Sequence, residues 1–247
     1  MFAVMILGIG FVMIAGVFPV SLRNIADTAD ETNATAVARG ASARLATVVP
    51  WADVAPTDGA VVSLRQASPG AWRQVAGEFV WNADPRYAWV PLVRFAGVGE
   101  PAQAVIVVLR SRDGRRLGPG DLVSPDPASG APPVLEPLTV TVTLTDGGQA
   151  PDTVEFDEAD ARAAVAAGTG ALLVVSSDQG DGRSNGRGLR LGRPLDDAGR
   201  RWELQPGSDL AGPQDEAVSA RAYLVGRDGL DRGVDAVAAY TTMFVPR

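Results

Sequence analysis

The chain reads as an α+β protein: a long N-terminal helix, with a membrane half and an amphipathic half, packed on a mainly antiparallel β-sheet domain. Three observations predict this. The first 22 residues, MFAVMILGIGFVMIAGVFPVSL, carry no charge and one hydroxyl, Ser21. From Leu22 to Val48 apolar residues recur at steps of three and four. From Trp51 onward, β-branched and aromatic runs alternate with clusters of Gly, Pro, Asp and Asn.

Taken in order, the first segment is long enough to span a hydrocarbon core, about 33 Å at roughly 1.5 Å per helical residue. Its Leu, Ile, Val and Phe residues favour insertion, and no Arg or Asp opposes them. The rivals are a buried core helix and a cleaved secretory signal, the latter calling for a basic start that Met1 to Val4 lacks. Pro19 removes an amide donor and leaves the Ala15 carbonyl without its usual partner, so a kink is expected between Gly16 and Pro19. Gly8, Gly10 and Gly16 remove side-chain bulk and permit close helix packing.

The apolar steps that follow are Leu22, Ile25, Ala29, Ala36 or Val37, Gly40 or Ala41, Leu45 and Val48. The opposite face holds Arg23, Asp27, Asp30, Glu31, Asn33, Arg39 and Arg44, and Pro50 stops the helix. The expected organisation is a transmembrane helix at 1–22, its amphipathic continuation at 23–49, and a β-rich extracytoplasmic part at 50–247. That last part forms one domain, or two subdomains meeting near 119–137, where PGDLVSPDPASGAPPVLEP cannot sustain regular structure.

The expected strands are Ala71 to Trp81, Tyr87 to Phe95, Ala104 to Arg112, Thr139 to Thr145, Ala171 to Ser177, Arg187 to Leu191, Arg201 to Leu204, Val218 to Val225 and Val237 to Val245. Thr139 to Leu144 alternates strictly, as a half-exposed antiparallel strand does. The other expected helix is Asp157 to Ala167, with Asp157 as N-cap, Glu158 and Asp160 in the first turn, and Gly168 as stop.

Composition narrows the chemistry. The chain has no Cys and no His, so thiol nucleophiles, thiolate metal sites and the commonest general base are excluded. A net charge of −7 argues against nucleic acid as a partner. All 22 basic residues are Arg, and the group Arg110, Arg112, Arg115 and Arg116 reads as a solvated hairpin end.

Gly182-Arg183-Ser184-Asn185-Gly186 matches the letters of a nucleophile elbow. No helix is expected after it and no histidine exists to serve it, so it reads as a turn. Asp178, Asp181 and Asn185 share that loop and form a calcium candidate, set against the plainer reading of a polar turn. The acidic run Asp152, Glu155, Asp157, Glu158 and Asp160 is explained by favourable charge at a helix N-terminus. No catalytic residue and no cofactor-binding residue is singled out, and the chain is not expected to be an enzyme.

Met1-Phe2-Ala3-Val4-Met5-Ile6-Leu7-Gly8-Ile9-Gly10 resembles the interior of the N-terminal segment of type IV pilins and type II secretion pseudopilins. The resemblance places the family's leader, processing glycine and glutamate upstream of Met1, so that Met1 would be an internal methionine. It implies a filament subunit, a minor pilin or minor pseudopilin, and other pilin-like subunits as partners. It also implies single-pass placement in the cytoplasmic (inner) membrane with the globular part outside. The assembly surface would be the helix that carries Phe2, Ile6, Leu7, Gly8, Ile9, Gly10, Phe11, Ile14, Phe18 and Pro19. The alternative is a single-pass membrane-anchored extracytoplasmic binding domain that forms no filaments.

Overall fold

A computed structural model describes residues 2–57, 59–111, 113–122, 137–143, 151–176, 187–205, 217–225 and 234–246. Helix α1 (Phe2–Val48) has described side chains at Ser21, Ile25 and Ala26 and then continuously from Thr28. It lies on one face of a four-stranded antiparallel sheet in the order β1 (Val62–Ser63), β2 (Tyr87–Arg94), β3 (Ala102–Ser111) and β10 (Val234–Phe244). Between β3 and β10 the chain makes a closed barrel from β4 (Pro137–Thr143), β5 (Thr153–Phe156), β6 (Leu172–Ser176), β7 (Arg187–Pro194), β8 (Arg201–Leu204) and β9 (Ala217–Val225), all antiparallel in the order β4-β5-β8-β7-β6-β9. Short helices α2 (Leu64–Ala67), α3 (Pro69–Val75) and α4 (Pro119–Leu122) border the sheet, and α5 (Glu158–Ala167) follows β5.

This architecture corrects the expected fold class. In place of one sheet domain beneath a helix, the β strands divide into an open sheet and a closed barrel. The division of the helix into a membrane half and an amphipathic half is not supported either. Among the described residues no helix is long and apolar enough to cross a membrane. The single-pass inner-membrane placement, which rested on such an anchor, falls with it. From Thr28 on, where the side chains of the helix are described continuously, polar residues are frequent, with Asp30, Glu31, Thr32 and Asn33 in succession.

The buried stripe of α1 is Ala34, Val37, Ala38, Ala41 and Leu45, continued by Val49 just past its end, each at most 4 % exposed. Its small residues let the helix sit close to the sheet. Ile25, 65 % exposed, and exposed Ala29 fall outside the docked face, contrary to the expected stripe. Gly40 meets the Trp81 ring so closely that a Cβ there would lie 2.3 Å from its Cη2. Where the helix ends, the Trp51 indole N–H donates to the Leu45 carbonyl at 3.1 Å. The Trp51 ring packs on Phe95 and Phe244 at centroid distances of 5.3 and 5.0 Å.

The expected strand Ala71 to Trp81 is instead α3 followed by a 3-10 turn at Ala76–Phe79. Ser68 caps α3, its hydroxyl accepting from the Ala71 N–H, and Pro69 occupies the first turn, where its missing donor costs nothing. Trp72, Val75, Ala76 and Phe79 are all buried at helical spacing. Aromatic and β-branched content pointed to a strand, and the periodicity and the cap decided otherwise.

The barrel interior is filled by Val140, Val154, Phe156, Leu173, Leu191 and Trp202, with Ala161, Ala164 and Ala167 of α5 packed into the same core. Asp157 stands at the N-cap of α5, but its side chain makes no capping bond. Strand β6 is buried on both faces. Leu173 and Val175 point into the barrel, whereas Leu172 and Val174 join the helix–sheet core together with Tyr223 and Val225 of β9. Period-two alternation with a core on either side therefore yields the continuous run Leu172-Leu173-Val174-Val175. Polar ties seal the junction. Ser176 Oγ accepts from the Val61 N–H at 3.0 Å, and the Tyr223 hydroxyl donates to Gln66 Oε1 at 2.6 Å.

Candidate interaction site

Among the described residues, helix, sheet and barrel meet with several charges at the point where α1 leaves the domain. Asp30 sits one step before Ala34, in register with the buried stripe, so its carboxylate is carried against the sheet. The Tyr87 hydroxyl donates to Asp30 Oδ1 at 2.7 Å, and Asn33 Nδ2 donates back to that hydroxyl at 3.2 Å. Arg110 of β3 pairs with Asp30 through Nη1, and its Nη2 lies 3.7 Å from Asp235 of β10. One guanidinium thus joins the helix to two strands. Its planar set of donors suits that task better than an ammonium would.

One turn further on, Thr35 Oγ1 and the Tyr240 hydroxyl are 3.1 Å apart. From the barrel side, Arg190 donates to the Val237 carbonyl at 2.6 Å and to the Gly170 carbonyl at 3.1 Å. Asp30, Arg110, Arg190, Asp235 and Tyr240 wall a polar cleft of about 590 Å³, with Glu31 and Gln205 also on its lining. Just outside the clamp, on the exposed side of α1, lies a shallow and mostly apolar groove of about 530 Å³, lined by Ile25, Thr28, Ala29, Thr32 and Asn33.

Two turns at this end of the sheet carry carboxyls held below the usual range. Asp84 is lowered chiefly by the hydrogen bonds it accepts from the Arg86 side chain, at 2.6 to 3.2 Å. Asp113 is lowered first by the Ser111 hydroxyl, which donates at 2.6 Å, and then by the Arg115 backbone N–H.

The arrangement can hold and orient a helix and present an uncovered face. No group of three or more acidic side chains that could hold a metal ion occurs among the described residues. Asp178, Asp181 and Asn185, and with them the Gly182 to Gly186 motif, lie outside the described residues. Phe2, Ile6, Leu7, Gly8, Ile9, Gly10, Phe11, Ile14, Phe18 and Pro19 fall in α1, where their side chains are outside the description. The acidic run is dispersed between β5 and α5: Glu158 pairs with Arg200 at 3.3 Å, and Asp160 Oδ2 accepts from the Thr139 N–H at 3.3 Å.

The residues missed by sequence reasoning are Asp30, Tyr87, Arg110 and Asp235. Arg110 was expected in a solvated hairpin end and is instead the centre of the clamp. Its signal was available in part: the steps 30, 34, 37, 41 and 45 put a carboxylate in the buried stripe, and such a group demands a cation. Comparison with known protein families, with curated proteins and with solved structures finds no match.

Proposed function

We propose that this chain is a structural subunit, a minor pilin or minor pseudopilin, of a type IV pilus or type II secretion filament, assembled by packing α1 against the helices of neighbouring subunits. The observation that carries the reading is the unequal use of α1. From Asp30 to Val49 the helix is bound to its own sheet by a buried stripe and a polar clamp. Before Asp30 the described side chains of Ser21, Ile25, Ala26, Thr28 and Ala29 are exposed. Exposed side chains on a helix that is otherwise bound to its own domain are available to copies, and the resemblance of Met1 to Gly10 to the pilin segment supports that use. A head-to-tail contact of this kind does not close and so builds open filaments.

The test is assembly of the full chain, followed by sedimentation and electron microscopy, with Gly8→Arg as the variant. The expected result is polymers from the wild type and none from Gly8→Arg, at an unchanged unfolding midpoint. Wild-type chains that stay monomeric, or a variant that assembles as well as the wild type, would refute the proposal.

A further inference from the structure

We infer that two copies of this chain pair edge to edge through β10, antiparallel about Thr242, and join their four-stranded sheets into one continuous sheet. The inference goes beyond the filament reading and uses the domain alone. It follows from which strand edges are left open. The barrel is closed, so its strands have none. At the β1 side of the four-stranded sheet, the N–H groups of Val61 and Ser63 donate to the Ser176 and Tyr223 hydroxyls of the barrel, at 3.0 and 3.3 Å. At the other side stands β10, which runs for 11 residues and pairs with β3 alone among the described strands.

An edge strand turns a row of N–H and C=O groups away from its sheet, and the backbone of another extended strand is what those groups fit. Proteins guard such edges with charges, prolines or bulges. In β10 the bulge lies between Ala236 and Ala238, and there Arg190 of the barrel donates to the Val237 carbonyl. Beyond that point the strand reads Ala239-Tyr240-Thr241-Thr242-Met243-Phe244, with no charged residue and no proline before Pro246. The stretch from Tyr240 to Phe244 is therefore the unguarded part of the edge, and its Met243 is 63 % exposed.

A second copy is selected because this stretch is complementary to itself. Tyr240 and Phe244 face the α1 side of the sheet, where Thr35 Oγ1 lies 3.1 Å from the Tyr240 hydroxyl and Trp51 packs on Phe244. Antiparallel pairing centred on Thr242 sets Tyr240 opposite Phe244 of the other copy, Thr241 opposite Met243, and Thr242 opposite its own counterpart. Aromatic pairs and Thr pairs are among the favourable cross-strand neighbours. The ends of the stretch fix the same centre. A centre nearer its start would lay the second strand along the bulge and Arg190. One nearer its end would bring Pro246, which has no N–H to give, into the pairing. A shift by a single residue would put the two α1 helices on opposite faces. The contact is isologous and closes as a twofold dimer. Its two α1 helices run in opposite directions, so the dimer is a form of the protein separate from a filament.

The test uses the full chain carrying Gly8→Arg, which keeps helix-mediated polymers out of the measurement. Sedimentation is expected to show a dimer that dissociates on dilution. The chain has no cysteine, so single cysteines report the register. Under mild oxidation Thr242→Cys is expected to give a covalent dimer, because Cα atoms of directly opposed residues lie about 4.5–5.5 Å apart, within disulfide reach. Val245→Cys, at a position 52 % exposed, is expected to stay unlinked. It would stand opposite Ala239, which leaves the two copies of it about 20 Å apart at roughly 3.4 Å per residue. Thr242→Lys places two like charges directly opposite each other and is expected to weaken the dimer about tenfold or more at an unchanged unfolding midpoint. A monomer at every concentration, a dimer indifferent to Thr242→Lys, or Val245→Cys linking as readily as Thr242→Cys would overturn the pairing. The filament reading is judged separately, by polymers of the chain without Gly8→Arg.

Discussion

Replacing Arg110 by Met tests the clamp most directly, because Met keeps the aliphatic stem and removes the charge. Two carboxylates then remain without their cation, Asp30 and Asp235, whose side chains are 17 % and 12 % exposed. Removing one partner of a fully buried pair costs roughly 3–5 kcal/mol. Arg110 itself is 33 % exposed, so water screens part of the interaction, and we expect roughly 2–3 kcal/mol here. With a urea dependence of about 3 kcal/mol per molar, the unfolding midpoint falls by roughly 0.7–1 M. The paired control is the triple variant Arg110→Met/Asp30→Asn/Asp235→Asn, which removes the stranded charges and should recover more than half of the loss. A midpoint unchanged by Arg110→Met, or a triple variant no more stable than the single one, would show that the three groups do not act as a unit.

Gly40→Ala gains roughly 1 kcal/mol of helix propensity but drives a methyl into Trp81, an overpacking cost of roughly 1–3 kcal/mol, so it should destabilise. The same change in a Trp81→Ala background should stabilise, and thermal unfolding of the four chains of this cycle reads the sign directly. Leu173→Ala opens a hole in the filled barrel and should cost roughly 2–5 kcal/mol in urea unfolding; a smaller loss would mean that the barrel interior collapses around it. The lowered carboxyls of Asp84 and Asp113 contribute stability that is complete above their unfolded value near 3.9 and is lost as pH falls through the folded value. Urea midpoints measured from pH 6 to pH 2.5 should therefore drop below about pH 4, with a shallower drop in Asp84→Asn.

Elements whose residues bury one repeating face were legible. The strands expected at Tyr87 to Phe95, Ala171 to Ser177 and Arg201 to Leu204 match β2, β6 and β8 to within a residue or two, and α5 matches its expected range. Their patterns are local, and local patterns survive in a single sequence. Thr153–Phe156 was hidden because Glu155 alternates with the buried Val154 and Phe156, so the strand read as part of an acidic run.

Barrel closure was not legible for a different reason. It requires β9 to pair with β4 on one side and β6 on the other, bringing Ala217–Val225 against segments that lie far away in the chain. Alternation specifies which face of each strand is buried, but it does not specify which strand lies alongside. The clamp fails to show for the same reason, since Asp30 and Arg110 are 80 positions apart. A charge in register with a buried stripe nevertheless announces that a partner must exist, even though its position in the chain stays open. On that argument Asp30 belonged with Ala34 and Val37 rather than with the solvent face, and the exposed Ile25 and Ala29 follow. The stripe turns away from the sheet before residue 30, and this change of face separates the buried steps from Ala34 onward from the exposed Ile25 and Ala29.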